Sequence, residues 1–266
     1  MGHHTWFDMI LGTFYKNVEN AAGVALGKPM VGLEGEGTWF QGSHLSIQHL
    51  FASTLVVLVL TTMAFSVNRK IRDTQGALIP EGRFSVRTFF ELLTEAIYGQ
   101  MSDMMGKKAA KFFLPLIATC AFMIFFSNVL GLIPGFLPPT DVLNTTLPYA
   151  LVIFFTTHIF GVKENGLGYF AHFFGPIRKW YALPLMLLMF IIECISHIAR
   201  PISLALRLAA NMTGDHKVLA LFLGLVPFVV PLPIYVLGCI VVTVQTLVFC
   251  LLSMVYISLA IAHEEH

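Results

Sequence analysis

Residues 218 to 262 run for 45 positions without one Asp, Glu, Lys or Arg. A membrane-spanning helix takes about 20 apolar residues, because the hydrocarbon core is ~30 Å thick and each helical residue rises ~1.5 Å. The run is therefore too long for one crossing and too apolar for a water-facing surface. Pro227, Pro231 and Pro233 fall together inside it, and proline, lacking an amide donor, ends helices. These residues predict a helical hairpin, its first arm spanning roughly 181 to 226 and its second roughly 234 to 262. Two separate spans are the alternative. The first arm is much longer than a bilayer is thick, so it must tilt steeply or lie partly along the membrane.

Three further windows are free of charge: residues 50 to 68, 112 to 140 and 142 to 162. Only 12% of the chain is charged, about half the ~25% of a soluble domain. The fold class that follows is an all-α polytopic membrane protein of about five membrane-embedded helices, the last two forming the long, strongly tilted hairpin. We divide the chain into an outer N-terminal segment, 1–46, and a transmembrane domain, 47–266. The first contains TWFDMILGTFYKNV, which suits a short interfacial amphipathic helix. A net charge of +1 provides no field for nucleic acid, so the expected surroundings are the lipid bilayer and protein partners.

Lys and Arg in short loops mark the cytoplasmic side. Residues 68 to 111 hold Arg69, Lys70, Arg72, Arg83, Arg87, Lys107, Lys108 and Lys111, and residues 163 to 179 hold Lys163, Arg178 and Lys179. Both segments are expected to be cytoplasmic loops. With five crossings the N-terminus then faces out and the C-terminal HEEH faces in.

Chemistry should lie where ionisable residues enter the apolar helices, because such residues are costly there. The segment ECISHIARPISLALRLAANMTGDHK, starting at Glu193, stands out. At ~100° per residue, Glu193, His197, Arg200, Ser203, Arg207, Asn211 and Asp215 fall within one stripe roughly 120° wide. Ser203 and Ser196 suit packing as well as function, and Glu193 with Arg200 suits an ion pair. Arg207 is different: no acid stands three or four residues away, and its guanidinium does not deprotonate. Its counter-anion must come from elsewhere. The second arm offers Gln245, an amide in an otherwise apolar stretch, which can face the Arg207 stripe.

The run PISLALRLAANMTGDHKV, with Glu193 upstream, Gln245 downstream and VYISLAIAHEEH at the end, resembles subunit a of the rotary F-type ATP synthases. So does NVLGLIPGFLPPTDVLNTTLPYAL, residues 128 to 151, and together the resemblance covers roughly residues 45 to 266. It implies a proton-channel stator in the membrane Fo sector of a bacterial inner membrane. Its implied partners are the c-subunit ring, the b-subunit peripheral stalk and, indirectly, the F1 sector, with no cofactor. Arg207 corresponds to the stator arginine, with Asn211 and Gln245 as neighbours. Glu193 and Ser196 fall in the cytoplasmic half-channel and His216 in the outer one, where Asp215 adds an acid. Some bacterial members carry a titratable residue where Gly131 and Gly238 stand here.

Metal and redox sites are not expected. Cys120, Cys194, Cys239 and Cys250 lie in apolar runs without CxxC spacing, and Glu193 with His197 lacks a partner pair. The terminal Met-Gly-His suits Cu(II) capture, a geometry that arises readily by chance. His158 suits packing, either in the bundle or on the outer route. An ion channel or secondary transporter is the rival class. A voltage sensor would need arginines at three-residue spacing, whereas Arg200 and Arg207 stand seven apart, and no paired repeats of the transporter kind are visible.

Overall fold

The computed structural model describes residues 48–71, 85–133, 136–166, 169, 183–225 and 231–261. The expected interfacial helix within 1–46, the terminal Met-Gly-His, Arg72, Arg83, Arg178, Lys179 and the C-terminal HEEH lie outside them. The described residues form five long helices and no strand: α1 (Gln48–Ile71), α2 (Val86–Leu132), α3 (Leu143–Asn165), α4 (Leu183–Leu225) and α5 (Pro231–Ile261), with a 3-10 turn at Pro139–Asp141 before α3. Each of the five is long and apolar enough to cross a membrane, and the chain is a multi-pass membrane protein.

The hairpin expected from the proline cluster is present. α4 ends at Leu225 and α5 begins at Pro231, where the missing N–H is one of the first-turn donors that has no helical partner anyway. At ~1.5 Å per residue the 43 residues of α4 extend ~65 Å, about twice the hydrocarbon thickness.

α2 departs from expectation. Residues 68 to 111 were expected as a cytoplasmic loop, yet helix begins at Val86, its end capped by the Ser85 hydroxyl, which accepts from the Thr88 amide at 3.5 Å. Within α2, Gly106 takes φ 79°, ψ 156°, a conformation open essentially to glycine alone. The Phe90 ring lies 4.9 Å from that of Phe122 and 6.3 Å from that of Phe126. A straight helix would separate residues 90 and 122 by ~48 Å, so the chain doubles back at Gly106 into two antiparallel arms. Arg87, counted above as a loop cation, is buried and donates to Glu91 at 2.6 Å. The missed signal is apolar residues at helical spacing behind a capping serine: Phe90, Leu93, Ile97 and Met101.

Two apolar clusters hold the bundle. In one, Met101, Ala110, Phe113, Ile117 and Ala121 of α2 meet Cys250, Met254 and Ile257 of α5. In the other, Ile124 of α2, Ala150 and Ile153 of α3, Leu204, Ala205 and Leu208 of α4 and Phe249 of α5 come together. All four cysteines are free, with Cys120 and Cys250 buried in these clusters. Polar atoms are satisfied within the helices: Thr157, Thr246 and Ser253 each donate to the carbonyl four residues back, at 2.8 to 2.9 Å, as an apolar solvent demands.

The ends of the bundle are tied differently. Ser258 Oγ donates to Met104 O at 3.0 Å and Asn165 Nδ2 donates to Ala260 O at 2.9 Å. The C-terminal ends of α3 and α5 and the Gly106 turn therefore share one end, where Lys107, Lys108, Lys111 and Lys163 are exposed. At the other end Thr140 donates to Asn128 Oδ1 at 2.5 Å, both residues fully buried.

Replacing Gly106 by Ala should destabilise the subunit by ~1–3 kcal/mol, the usual cost of forcing a side chain into a glycine-only backbone state. Gly99→Ala, in the open helical part of the same arm, should cause no loss, since Ala favours helix. Thermal unfolding in detergent compares the two. Equal stability of Gly106→Ala and wild type would show that the sharp turn is not required.

Candidate functional site

α4 carries the stripe, and the fold divides it. Leu204, Ala205, Leu208, Ala209 and Met212 are buried against the rest of the bundle, whereas Ile195, Ile198, Ala199, Ile202, Leu206 and Ala210 stay uncovered. Small residues at 205 and 209 let neighbouring helices approach closely. The polar stripe runs along the border between the two faces. Ser203 and Arg207 turn outward, into an open apolar concavity lined also by Ile198, Ile202 and Leu206. His197 turns inward and is buried.

Arg207 makes no hydrogen bond, ion pair or ring contact with any described residue, and it is exposed. Its stem lies on an apolar face and no described residue supplies it with an anion. One turn along, Asn211 Nδ2 donates to Gln245 Oε1 at 2.7 Å, and Gln245 is buried. The two arms of the hairpin thus bring Gln245 beside the stripe, where it meets Asn211.

Toward the N-terminal end of α4, Glu193 Oε1 lies 3.3 Å from His197 Nδ1, which also donates to Glu193 O at 2.9 Å. The suggested Glu193–Arg200 ion pair does not form. The Arg200 guanidinium lies over the Tyr256 ring of α5 at 5.3 Å, a cation–π contact that holds the charge inside the bundle. His158 of α3 faces the bundle, its ring 5.3 Å from that of His197. It is therefore placed with Glu193, at the opposite end from Asp215 and His216. Ser196, between Glu193 and His197 along the helix, is half-buried.

Toward the other end, Asp215 and His216 border a small cleft with Met212, Tyr235 and two glycines, Gly131 and Gly238. Asp215 Oδ2 is buried and has no hydrogen-bond partner among the described residues. His216 Nε2 donates to Phe136 O at 3.2 Å, and the Thr213 hydroxyl lies 3.1 Å from Asp141 O. Both bonds clamp the segment between α2 and α3 onto α4. A Cβ at Gly131 would come within 2.7 Å of Pro138, and one at Gly238 within 2.8 Å of Leu132. At Gly131 the obstacle is a proline ring, which leaves no room for a side chain without rearrangement, whereas at Gly238 it is the tip of the Leu132 side chain, which can turn aside. Asp141 is a further acid here that spacing did not single out. Burial raises its carboxyl to about 6, partly offset by a hydrogen bond from its own backbone, so it titrates within the range a membrane surface meets. Its signal was an acid isolated between two charge-free runs. Among the described residues no group of three His, Cys, Asp or Glu is disposed to hold a metal ion.

Residues 50–258 match the family model described as ATP synthase A chain. The chain is 44% identical over 234 residues to ATP synthase subunit a of Sorangium cellulosum, covering 86% of this chain and 90% of that protein. It is 44% identical over 224 residues to ATP synthase subunit a of Bdellovibrio bacteriovorus, covering 82% and 95%. With ATP synthase subunit a of Sulfurihydrogenibium sp. the identity is 42% over 220 residues, covering 82% and 99%.

The Asn211–Gln245 bond crosses between helices within the membrane, where such bonds contribute about 0.6 kcal/mol on average and up to ~1.7 kcal/mol. A double-mutant cycle with Asn211→Ala and Gln245→Ala, read by unfolding of the subunit, should return a coupling of that size. Strict additivity would place the two amides apart.

Proposed function

The chain belongs to the ATP synthase subunit a family, in the membrane Fo sector of a rotary ATP synthase, and from this premise we propose that it is the proton-conducting stator that turns a ring of c subunits. The single observation that carries the proposal is Arg207. It is a permanent cation on an open apolar face, without an anion from any described residue. A carboxylate on a passing c subunit is the anion that fits. The open face of α4 is then the ring-facing surface, and the b-subunit stalk and F1 sector hold the stator in place.

Two groups of titratable residues flank Arg207 along α4. Glu193, with Ser196, lies 14 residues toward one end, and Asp215 and His216 lie eight and nine toward the other, some 21 Å and 12 Å along the axis. We assign the first group to a half-channel open to the cytoplasm and the second to one open to the outside. A proton entering at Asp215 or His216 neutralises a ring carboxylate, which can then move into lipid where a charged one could not. After nearly a full turn it reaches the Glu193 side and releases its proton. Beside Arg207 the carboxylate must be ionised, because a nearby cation favours that form. The guanidinium also repels protons that would pass straight between the half-channels. Asn211 and Gln245, bonded to each other, fix the surroundings of the cation on its outer side.

The orientation draws support from the exposed lysines at one end of the bundle, Lys107, Lys108, Lys111 and Lys163, since positive residues stay cytoplasmic. Glu193 lies toward that end and the C-terminus of α5 reaches it. We place 47–266 as the stator domain of a bacterial inner-membrane complex. A voltage-gated channel or a substrate transporter fits less well, because Arg200 is engaged with Tyr256 and Arg207 stands alone.

Two experiments on the assembled complex test this. Arg207→Ala should abolish proton-coupled ATP synthesis while leaving ATP hydrolysis by the soluble sector, and Arg207→Lys should fail also, because a lysine covered by the ring loses its proton readily. Normal synthesis with Ala at 207 would sink the mechanism. In sealed vesicles, cysteines placed at 108 and 163 should be labelled from the cytoplasmic side and one at 216 from the outer side. The reverse pattern overturns the orientation.

A further inference from the structure

The second arm of α2, beyond Gly106, and α3 each leave one stripe uncovered. On α2 it runs back from Pro115 through Phe112 and Lys111 to Lys108, and on α3 it runs from Phe155 through Ile159 to Lys163. Steps of three and four residues keep each set on one side of its helix. Phe112 is 60% exposed, Phe155 56% and Ile159 62%, as suits faces turned to lipid tails. Both stripes change from apolar to cationic at the same end of the bundle, the end that carries the Gly106 turn.

Side-chain contacts join the two stripes. The Phe112 ring lies 5.2 Å from that of Phe160, and Lys163 Nζ stands 5.6 Å from the centre of the same Phe160 ring. Lys111 precedes Phe112 in the chain and Lys108 lies one turn before it, so three lysines from two helices flank one aromatic step. The ion pairs among the described residues are Arg87 with Glu91 and His197 with Glu193, and none of the three lysines takes part. The acids nearest in sequence, Asp103 and Glu164, are exposed and pair with none of them. A lysine on an apolar face lays its stem along that face and keeps its ammonium at the water boundary, the level at which lipid phosphates lie.

We propose that Lys108, Lys111 and Lys163 hold the headgroup of an anionic phospholipid whose acyl chain lies on Phe112 and Ile159. Charge selects the anionic class. A zwitterionic headgroup carries its own cation beside the phosphate, whereas three unpaired lysines call for net negative charge, each favouring an anionic lipid by about fivefold. The uncovered apolar stripes select a lipid over free phosphate, because inorganic phosphate would leave them empty. Glu164, beside Lys163, opposes the anion, so Lys108 and Lys111 supply the excess of positive charge. The bound lipid bridges α2 and α3 across the contact of Phe112 with Phe160. The inference depends neither on the stator function nor on which side of the membrane this end faces.

The test uses the complete ATP synthase in phosphatidylcholine vesicles that contain a small share of phosphatidylglycerol with a diazirine on its acyl chain. After irradiation, the labelled peptides are located by mass spectrometry. Label is expected on the stretches around Phe112 and Ile159, displaced by excess phosphatidylglycerol and retained in excess inorganic phosphate. Lys108→Gln, Lys111→Gln and Lys163→Gln together should lower it by roughly tenfold or more. Lys108→Arg, Lys111→Arg and Lys163→Arg together, which preserve the charge, should retain it. Equal labelling by a diazirine phosphatidylcholine would reduce the site to ordinary surrounding lipid, and displacement by inorganic phosphate would make it a site for a free anion. Label on a neighbouring subunit in place of these stretches would give the face to a protein. Any of the three overturns the inference. If the Gln variant does not assemble, the choice between phosphatidylglycerol and phosphatidylcholine in the wild type decides it.

Discussion

A guanidinium carried into the membrane without a counter-ion among the described residues is the constraint around which this structure is arranged. Arg207 cannot shed its charge, so its helix must hold it where an external carboxylate or water can meet it. α4 does this by packing one face, Leu204, Ala205, Leu208 and Met212, into the bundle and leaving the adjoining face open. Arg207 sits on the border, its position fixed by the buried face and its charge left to the open one. Arg200, two turns away, shows the opposite solution: it lies over Tyr256 inside the bundle and is no longer available to a partner.

The same division governs the ends. Near Asp215 the backbone between α2 and α3 is clamped to α4 by Thr213 and His216, which satisfies carbonyls that lipid could not. Gly131 and Gly238 permit the close approach of Pro138 and Leu132, closing the cleft around the acid. The acid and the histidine of this cleft are therefore supplied by α4 itself, at 215 and 216, with Tyr235 of α5 beside them and Asp141 nearby on the segment between α2 and α3.

Much of this was legible in the sequence because the bilayer enforces simple rules. The apolar windows and the proline cluster at 227 to 233 located the hairpin to within a few residues of its observed limits, 183–225 and 231–261. The stripe identified Arg207, Asn211 and Asp215 because one helix has one period. What failed involved contacts between helices. The arm before Gly106 was hidden by treating Arg87 and its neighbours as loop charge, although an arginine can be buried when Glu91 lies one turn on. The pairing of His158 with His197, 39 residues apart in sequence, leaves no trace in the periodicity of either helix. For Arg200 the sequence left an ion pair with Glu193 or snorkelling open, and its contact with Tyr256 was hidden because that ring belongs to another helix.

The range of Arg207's field decides how it can act. At an effective dielectric near 20, two unit charges interact by about 4 kcal/mol at 4 Å, and by 1/r scaling by only ~1.4 kcal/mol at 12 Å and ~0.8 kcal/mol at 21 Å. Asp215 and Glu193, at about those two axial separations, are coupled to Arg207 only weakly. A carboxylate brought into contact feels a difference of about a thousandfold. The cation thus acts weakly on the fixed acids of its own helix and, in the function proposed above, strongly on an anion delivered to the open face. Moving Asp215 one turn closer, to ~6 Å along the axis, would begin to supply the counter-ion from within the chain, and a guanidinium so satisfied would have less to offer a passing one. The empty turns around Arg207, filled by Ser203, Leu204, Leu208 and Asn211, are as much a part of the site as the charge.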